Sequence, residues 1–302
     1  MERRGWVSSI FIISVLSLSL ILHGCVNRIN IRNTLDQKAT LQVNAYWDPI
    51  ADSSLDLPNH SPKHSALVND LSPAHPSQAY KADAFTVFFP KGSVSVGDLW
   101  ELDANEIVPF LRQFHPGATA EMRSNLGGKT TLPLFNFTLT LSKVGLESEG
   151  AYACLRALSS SYAEIVFRIH ADFLLDRDAG AYFTPAQFTG RLMLNRNTGA
   201  IREFWLYLPP RNSNVDFFAF GGADMLFVPR MELIGRNADD KNEIVWETTI
   251  TEAAAKTALK KAFYKSAQIE TFPIEEIVAQ AQAKNRPIHV LLTWGVFDDE
   301  SC

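Results

Sequence analysis

Apolar and polar residues alternate along much of the chain, which is typical of strands that bury one face. The pattern predicts strands over Thr40–Trp47, Ala84–Phe89, Leu132–Leu141, Tyr152–Leu158, Ala163–Leu175, Phe188–Leu194, Ala200–Leu208, Leu226–Ile234 and Glu243–Ile250. Ser159–Ser161 separates two of them as a turn, and Asn195–Gly199 is a hairpin loop with Gly199 placed for positive φ. A short helix, interrupted near Pro109, is predicted over Ala104–Phe114. We therefore predict one antiparallel, β-rich domain over residues 83–250.

After Ile250 the period changes to that of helices. Ala253–Tyr264 is rich in Ala, Lys and Leu, and Thr249 with Glu252 predicts a capping box at its start. Pro273 opens a second predicted helix. The charges of this helix complement its dipole, with acids in the first turn and bases in the last: Glu275, Glu276, Lys284 and Arg286.

The chain ends in a pattern that differs from the alternating strands. Pro287–Trp294 is almost continuously apolar, as expected of a strand buried in a parallel sheet. A short acidic loop and Ser301-Cys302 follow. A helix, a buried strand and a loop to a cysteine predict the first part of a thioredoxin-like unit over residues 251–302. The predicted fold class is α+β, an antiparallel β-rich body followed by an incomplete thioredoxin-like α/β unit.

The N-terminal segment, residues 1–25, has the features of a targeting signal. Arg3 and Arg4 precede an uncharged, mostly apolar stretch over residues 5–22, and Gly24-Cys25 resembles a bacterial lipobox in which Cys25 is lipidated. An uncleaved signal anchor and an ordinary signal peptide are the alternatives. Each of the three places the body outside the cytoplasm. Residues 26–82 are interpreted as a polar tether followed by a connector rich in Pro, His and Ser.

Composition excludes some functions and leaves the cysteines as candidates. A net charge of −5 without a long basic run predicts no nucleic-acid partner. Cys154 lies in a half-apolar strand and is interpreted as a small core residue, with a disulfide to Cys302 as the alternative. His60, His64 and His75 are interpreted as solvated loop residues, so no metal site is predicted.

A further candidate is the polar set within the predicted strand Ala163–Leu175. Arg168, His170 and Asp172 alternate with apolar residues and are expected on one strand face. We interpret them as a polar face, with a polar cluster that faces the redox segment as the sharper alternative. Arg156 and Glu164 could join such a cluster.

Several long segments resemble the selenoprotein N family. The C-terminal segment His289–Cys302, HVLLTWGVFDDESC, is similar to the family's segment that runs into its Ser-Cys-selenocysteine-Gly redox motif. Three internal segments are similar in the same order: Ile165–Phe173 (IVFRIHADF), Phe183–Gly190 (FTPAQFTG) and Pro229–Leu233 (PRMEL). The resemblance covers roughly residues 84–302, and the chain is identified as a bacterial-type member of the family.

The resemblance implies a redox site at the C-terminus. Cys302 and Ser301 match the motif, and a selenocysteine is expected directly after Cys302. Since selenocysteine is encoded by UGA, the chain is expected to stop where that codon is read as a terminator. Trp294, Phe297, Asp298 and Asp299 are expected to support the redox loop. No calcium site is predicted, because Asn237–Lys241 lacks the glycine and terminal glutamate of an EF-hand loop.

These expectations define two functional hypotheses. The first is a membrane-tethered, extracytoplasmic thiol/selenol oxidoreductase that acts on a thiol/disulfide protein or a peroxide, and that is inactive as the chain stands. The second is a non-enzymatic β-rich lipoprotein that binds a protein partner.

Overall fold

The computed structural model describes residues 28–48, 72–120, 129–134, 137–142, 150–176, 181–185, 187–209, 214–219, 222–227, 230–238, 240–263, 272–288 and 290. Within these ranges the first strands are β1 (Thr40–Trp47), β2 (Ser77–Lys81), β3 (Leu99–Glu101), β4 (Ala118–Ala120), β5 (Lys129–Leu134), β6 (Phe137–Ser142), β7 (Ala151–Leu158) and β8 (Tyr162–Ile169). They are followed by β9 (Ala171–Asp176), β10 (Ala181–Pro185), β11 (Phe188–Asn195), β12 (Ile201–Tyr207), β13 (Asn214–Ala219), β14 (Gly222–Phe227), β15 (Met231–Arg236) and β16 (Thr248–Thr249). The α-helices are α1 (Ala104–Leu111), α2 (Glu252–Phe263) and α3 (Ile274–Lys284), and 3₁₀ helices cover Arg32–Thr34 and Ala82–Phe88.

The described strands form three antiparallel sheets. The main sheet has nine strands in the order β16-β7-β8-β11-β12-β15-β1-β2, with β3 also paired to β7. A second sheet has the order β14-β13-β10-β9-β4, and β5 pairs with β6 alone. The α+β class and the antiparallel body are confirmed. The main sheet already includes β1 and β2, which precede the start at residue 83 expected for the β-rich domain.

Phenylalanine rings fill the core on one face of the main sheet. Phe167 of β8 and Phe204 of β12 meet Phe88 of the second 3₁₀ helix and Phe110 of α1, with ring centroids 4.5 Å apart for Phe88–Phe167 and 5.2 Å for Phe110–Phe204. We call the fully buried set the aromatic core: Phe85, Phe88, Phe110, Phe114, Phe167, Phe173, Phe188 and Phe204. Each such pair adds about 0.5–1.5 kcal/mol beyond the burial of its area.

The strand predicted over Ala84–Phe89 is wrong, because this segment is a 3₁₀ helix. Its period explains the difference. Phe85 and Phe88 are three residues apart and both fully buried, so a turn of three residues places both in the aromatic core. A strand would direct them to opposite faces.

Three predicted strands are each two strands in the structure. Ala163–Leu175 breaks at His170, where the chain leaves the main sheet as β8 and enters the second sheet as β9. Leu226–Ile234 similarly spans the end of β14 and most of β15, which lie in different sheets. Leu132–Leu141 is divided between β5 and β6, which pair with each other. Alternation continues across His170 and therefore does not reveal that break. It is interrupted at Leu134-Phe135 and at Pro229, where the two other predicted strands should have been divided.

The strand predicted over Glu243–Ile250 is reduced to the two residues of β16. Residues 240–247 are irregular, and Val245 is 77% exposed. The buried strand predicted over Pro287–Trp294 is wrong for the residues described there. Ile288 is 42% and Val290 is 73% exposed, and neither belongs to a strand. Residues 289 and 291–294 lie outside the described residues.

Both C-terminal helices predicted from the sequence are confirmed as α2 and α3. The cap of α2 is Thr251 and not Thr249, because the Oγ1 atom of Thr251 accepts a hydrogen bond from the Ala254 amide at 3.1 Å. Pro273 occupies the N-cap of α3. The β11–β12 hairpin is confirmed too, with φ of +71° at Gly199.

Residues 28–38, which we interpreted from their polarity as part of a tether, pack on the body. The amide of Ile29 donates to the Val94 carbonyl at 2.8 Å, and the Val94 amide donates back at 2.9 Å. Ile31 is fully buried in the main hydrophobic cluster. Backbone hydrogen bonds of Ile29 and burial of Ile31 thus attach a segment that is polar in composition to the body.

Among the residues that the structure describes, no helix combines the length and apolar character needed to cross a bilayer.

Gly190 provides a test of the aromatic core. A Cβ at this position would lie 2.4 Å from the Phe167 ring and 2.4 Å from the Trp205 carbonyl oxygen. We expect Gly190→Ala to reduce the free energy of unfolding by about 1–3 kcal/mol, because it overpacks the sheet under Phe167. Urea unfolding of the purified chain measures the change.

Gly92 is the matched control, since a Cβ there meets nothing within 4 Å. Gly92→Ala is expected to change stability by less than about 0.5 kcal/mol. Equal stability of the two variants would contradict the close packing of Phe167 on Gly190.

Candidate functional site

The site residues predicted from the resemblance lie outside the described residues, as does the proposed lipidation site. These residues are Cys25, Trp294, Phe297, Asp298, Asp299, Ser301 and Cys302. The structure does describe α2 and α3, which lead to the C-terminal segment, and the sheet surface on which α2 packs. That surface is the candidate site that the geometry allows us to build.

The register of the main sheet defines this surface. Residues paired directly across antiparallel strands lie on the same face. Cys154 pairs with Val166, Val166 with Arg191, and Arg191 with Trp205. Trp205 then pairs with Ile234, which pairs with Asn44. We call this side, opposite the aromatic core, the outer face.

Helix α2 covers one end of the outer face. Ala255 and Leu259, four residues apart, are buried against Cys154 and Val166. The start of the helix is held by β7, because the Ile250 amide donates to the Arg156 carbonyl at 3.0 Å. The interface is small and apolar, so few side chains determine whether α2 is docked.

Cys154 is a buried free thiol under α2. Burial, helped by the charge of Asp98, raises the pKa of its thiol to about 11. Thiol–disulfide exchange requires a thiolate, which Cys154 cannot supply near neutral pH. The interpretation of Cys154 as a core residue is confirmed, and the geometry does not support it as a redox nucleophile.

Polar residues that we expected on one strand face are separated by the change of sheet. Arg168 lies on β8 in the main sheet, and Asp172 lies on β9 in the second sheet. His170 occupies the junction, where burial and the nearby charge of Arg168 lower its pKa to about 3. Its imidazole is therefore neutral near pH 7. Arg156 and Glu164 do form an ion pair with each other.

Next to α2, the outer face carries an arginine on an aromatic pair. The Nη2 atom of Arg191 lies 2.9 Å from the Oε1 atom of Glu203, and its guanidinium lies 5.2 Å from the centre of the Trp205 ring. Burial alone would lower the pKa of Arg191, but the hydrogen bond and charge of Glu203 raise it. Trp205 stacks on Tyr207 at 4.0 Å. These contacts join β11 and β12 across the outer face.

The same arrangement continues across β15 to β1. The Trp205 indole N–H donates to Glu232 at 2.8 Å, and Glu232 also pairs with Arg230. The guanidinium of Arg230 lies 4.1 Å from the centre of the Tyr46 ring. Tyr46 is 38% exposed, so this end of the outer face is accessible. Trp, Tyr and Arg are the residues that most often dominate binding energy in protein interfaces.

Asp240 fixes the irregular segment 240–247. Its carboxylate accepts hydrogen bonds from the Tyr162 hydroxyl at 2.7 Å and the Asn195 side chain at 2.8 Å, and it pairs with Arg202 at 3.3 Å. Partial burial would raise the pKa of Asp240, whereas these hydrogen bonds and the charge of Arg202 lower it. These contacts give the Asp240 carboxylate a structural role in holding the segment against β8, β11 and β12.

Across the described ranges, no group of three or more His, Cys, Asp or Glu side chains is placed to hold a metal ion. His75 lies exposed just before β2, while His60 and His64 are outside the described residues.

The outer face was not identified from the sequence. The signal that could have found it is the alternation of Glu203, Trp205 and Tyr207 with the buried Phe204 and Leu206. Alternation places residues on a common face of one strand, but the partner strands and hence the contacts with Arg191 and Glu232 come only from the topology.

Comparison with curated proteins finds three relatives named selenoprotein N. Selenoprotein N of Danio rerio is 30% identical, over 79% of this chain and 50% of the relative. The proteins of the same name from Mus musculus and Homo sapiens are 29% and 28% identical, each over 79% of this chain. The chain belongs to the selenoprotein N family.

The chain spans about half the length of the curated relatives that it matches, with 50%, 50% and 47% of the three covered. No known family profile matches the chain. No solved structure matches it either. The family assignment made from the quoted segments is confirmed.

Leu259 tests whether α2 is what shields Cys154. We expect Leu259→Ala to weaken docking of α2 by at least about 2 kcal/mol, because Leu259 is the larger of two fully buried side chains among those that the structure describes in the helix. That loss corresponds to about a 30-fold larger undocked population. Reaction of Cys154 with a thiol reagent, measured in a Cys25→Ser, Cys302→Ser background so that Cys154 is the remaining thiol, should accelerate accordingly.

The control is Thr257→Ala, at an exposed position of the same helix. It should leave the rate of Cys154 modification unchanged. If both variants react at the rate of the parent protein, α2 is not the element that protects Cys154.

Proposed function

We propose that the protein is a membrane-tethered, extracytoplasmic thiol/selenol oxidoreductase of the selenoprotein N type. Its redox pair is Cys302 and a selenocysteine that follows it in the full-length protein. Residues 251–302 contribute the first part of a thioredoxin-like unit, and the β-rich body carries that unit. The substrate is a protein disulfide or a peroxide.

The observation that supports this proposal most is the match to three proteins named selenoprotein N over 79% of the chain. The second support is the sequence Ser301-Cys302, which corresponds to the start of the family's redox motif. The apolar N-terminal stretch and Gly24-Cys25 support attachment to a membrane and an oxidising compartment, in which thiol chemistry with disulfides is expected.

Reduction of a substrate disulfide requires two reactive groups, the selenolate and the Cys302 thiolate. The selenolate attacks one sulfur of a substrate disulfide, a selenium–sulfur bond forms, and the other substrate sulfur leaves as a thiolate. The Cys302 thiolate then attacks selenium and releases the second substrate thiolate. The substrate disulfide has been reduced to two thiols, and the protein has been oxidised to a selenium–sulfur bridge. A thiol donor restores the reduced pair.

The β-rich body holds the start of the proposed redox unit through α2. The helix α2, which begins residues 251–302, is capped by Thr251 and packed on β7 and β8 through Ala255 and Leu259. Cys154 lies at this interface, but its burial and raised pKa keep it out of exchange with the redox pair. This separation matters because a third reactive thiol would compete for the selenenyl intermediate.

A second candidate function is binding of a protein partner without catalysis. The accessible Tyr46 and the arginine and tryptophan contacts of the outer face favour it, because such residues are enriched in interfaces. The two functions are compatible in one protein, and redox turnover of the full-length form distinguishes them.

The test is turnover of a full-length form with selenocysteine inserted after Cys302. We expect the reduced protein to cleave a model disulfide or reduce a peroxide with a thiol donor present. Cys302→Ser should lower turnover, because the selenenyl intermediate is then resolved only by the donor thiol from solution and not by a thiolate on the neighbouring residue. Consumption of the donor, followed optically, gives the rate.

Cys154→Ala is the matched control and should retain the parent rate, since Cys154 is buried and largely protonated. If the parent form turns over no faster than Cys302→Ser, the oxidoreductase proposal fails and protein binding becomes the better account.

A further inference from the structure

The first described residue is already fixed to the body. The guanidinium of Arg28 donates to the Ser93 carbonyl from Nη2 at 2.7 Å and from Nε at 3.2 Å, and it lies 3.5 Å from the Asp98 carboxylate. Two backbone hydrogen bonds between Ile29 and Val94 follow at once. Together with the burial of Ile31, these contacts leave the segment after Asn27 no freedom to act as a spacer.

The distance from this docked residue to a membrane anchor is therefore short. If Cys25 carries the lipid, three residue steps separate it from Arg28 and span at most about 11 Å. If the apolar stretch that ends at Leu22 is an uncleaved anchor, six steps span at most about 22 Å. The polar headgroup region is itself about 5–8 Å thick on each side of a bilayer. Under lipidation the body must touch the headgroups.

The position of Arg28 determines which end of the body faces the bilayer. The loop that it contacts is joined to β7 by a hydrogen bond from the Gly97 amide to the Leu155 carbonyl at 2.8 Å. Farther along the N-terminal segment, the Asp36 amide donates to the Gly199 carbonyl in the β11–β12 turn at 2.9 Å. Asp48 follows β1 at the end of the strand opposite to Thr40. Eight residue steps of extended chain separate Thr40 from Asp48 by about 26 Å, so Asp48 lies far from the N-terminal segment.

The charges around Arg28 suit phospholipid headgroups. The side chain of Arg28 is 62% exposed in spite of its contact with Asp98, and Lys91 and Arg32 are exposed nearby in sequence. Asp98 and Asp36 oppose these three cations. Basic residues beside an anchor are attracted to anionic lipids over a short range.

From this geometry we propose that the body docks on the bilayer through a membrane-facing surface formed by Arg28, Arg32 and residues 90–98. This orientation rests on the membrane attachment proposed above. It fixes the height and direction of the body above the lipid, in place of a body that moves freely on a tether. The partner of this surface is a phospholipid headgroup layer.

Fluorescence quenching by lipid tests the orientation. The full chain, with Cys302→Ser, is purified from membranes and placed in phosphatidylethanolamine–phosphatidylglycerol vesicles that contain a spin-labelled quencher lipid. A fluorophore is attached at Gly92→Cys, where a side chain meets nothing within 4 Å, or at Asp48→Cys. We expect strong quenching at position 92 and weak quenching at position 48.

A spacer provides the internal control. Insertion of a long Gly/Ser segment between Asn27 and Arg28 should preserve flotation with the vesicles and reduce quenching at position 92. Equal quenching at positions 92 and 48, or quenching at 92 that the spacer leaves unchanged, overturns the orientation while attachment stands. A chain that does not float overturns membrane attachment and the orientation with it.

Discussion

Packing of phenylalanine rings on one face of the main sheet is the constraint on which the rest of the structure depends. Phe167 of β8 and Phe204 of β12 pack against Phe88 and Phe110. Phe167 also lies so close to Gly190, on the strand between them, that an added Cβ would be 2.4 Å from its ring. Because every second residue of these strands is buried in the aromatic core, the residues between them point to the opposite side and form the outer face. The surface that holds α2 is thus a consequence of the core on the other side.

The sequence pattern predicted the strands and helices that have one apolar and one polar face. Strands β1, β7, β11 and β12 alternate cleanly, and α2 and α3 have helical composition and dipole-compatible charges, so each was predicted close to its observed bounds. The pattern gave the wrong element where long-range packing determines the local structure. At Ala82–Phe88 a 3₁₀ helix buries both Phe85 and Phe88, whereas alternation predicted a strand. The break at His170 is set by a change of sheet, which alternation cannot show.

The candidate site could be predicted only in part, for a similar reason. The family was predicted from extended sequence similarity and is confirmed by its relatives. The assignment of Ser301 and Cys302 to a redox motif came from the same similarity and stays a prediction. The outer face depends on long-range strand pairing, which brings Arg191, Trp205 and Glu232 together from three strands. Cys154 illustrates the value of the geometry, because burial under α2 removes a plausible thiol from the redox chemistry. In the proposed function, the β-rich body lies in sequence between the proposed membrane attachment and the proposed redox segment.

The central claim is that a selenocysteine directly after Cys302 completes a redox pair with that cysteine. Sequencing the transcript past the Cys302 codon tests this claim most directly. The account predicts an in-frame UGA, then a glycine codon, a continuing thioredoxin-like frame and a recoding hairpin. A different stop codon after Cys302, or a UGA without such a continuing frame, would contradict it and favour a protein whose function is to bind a partner through the outer face.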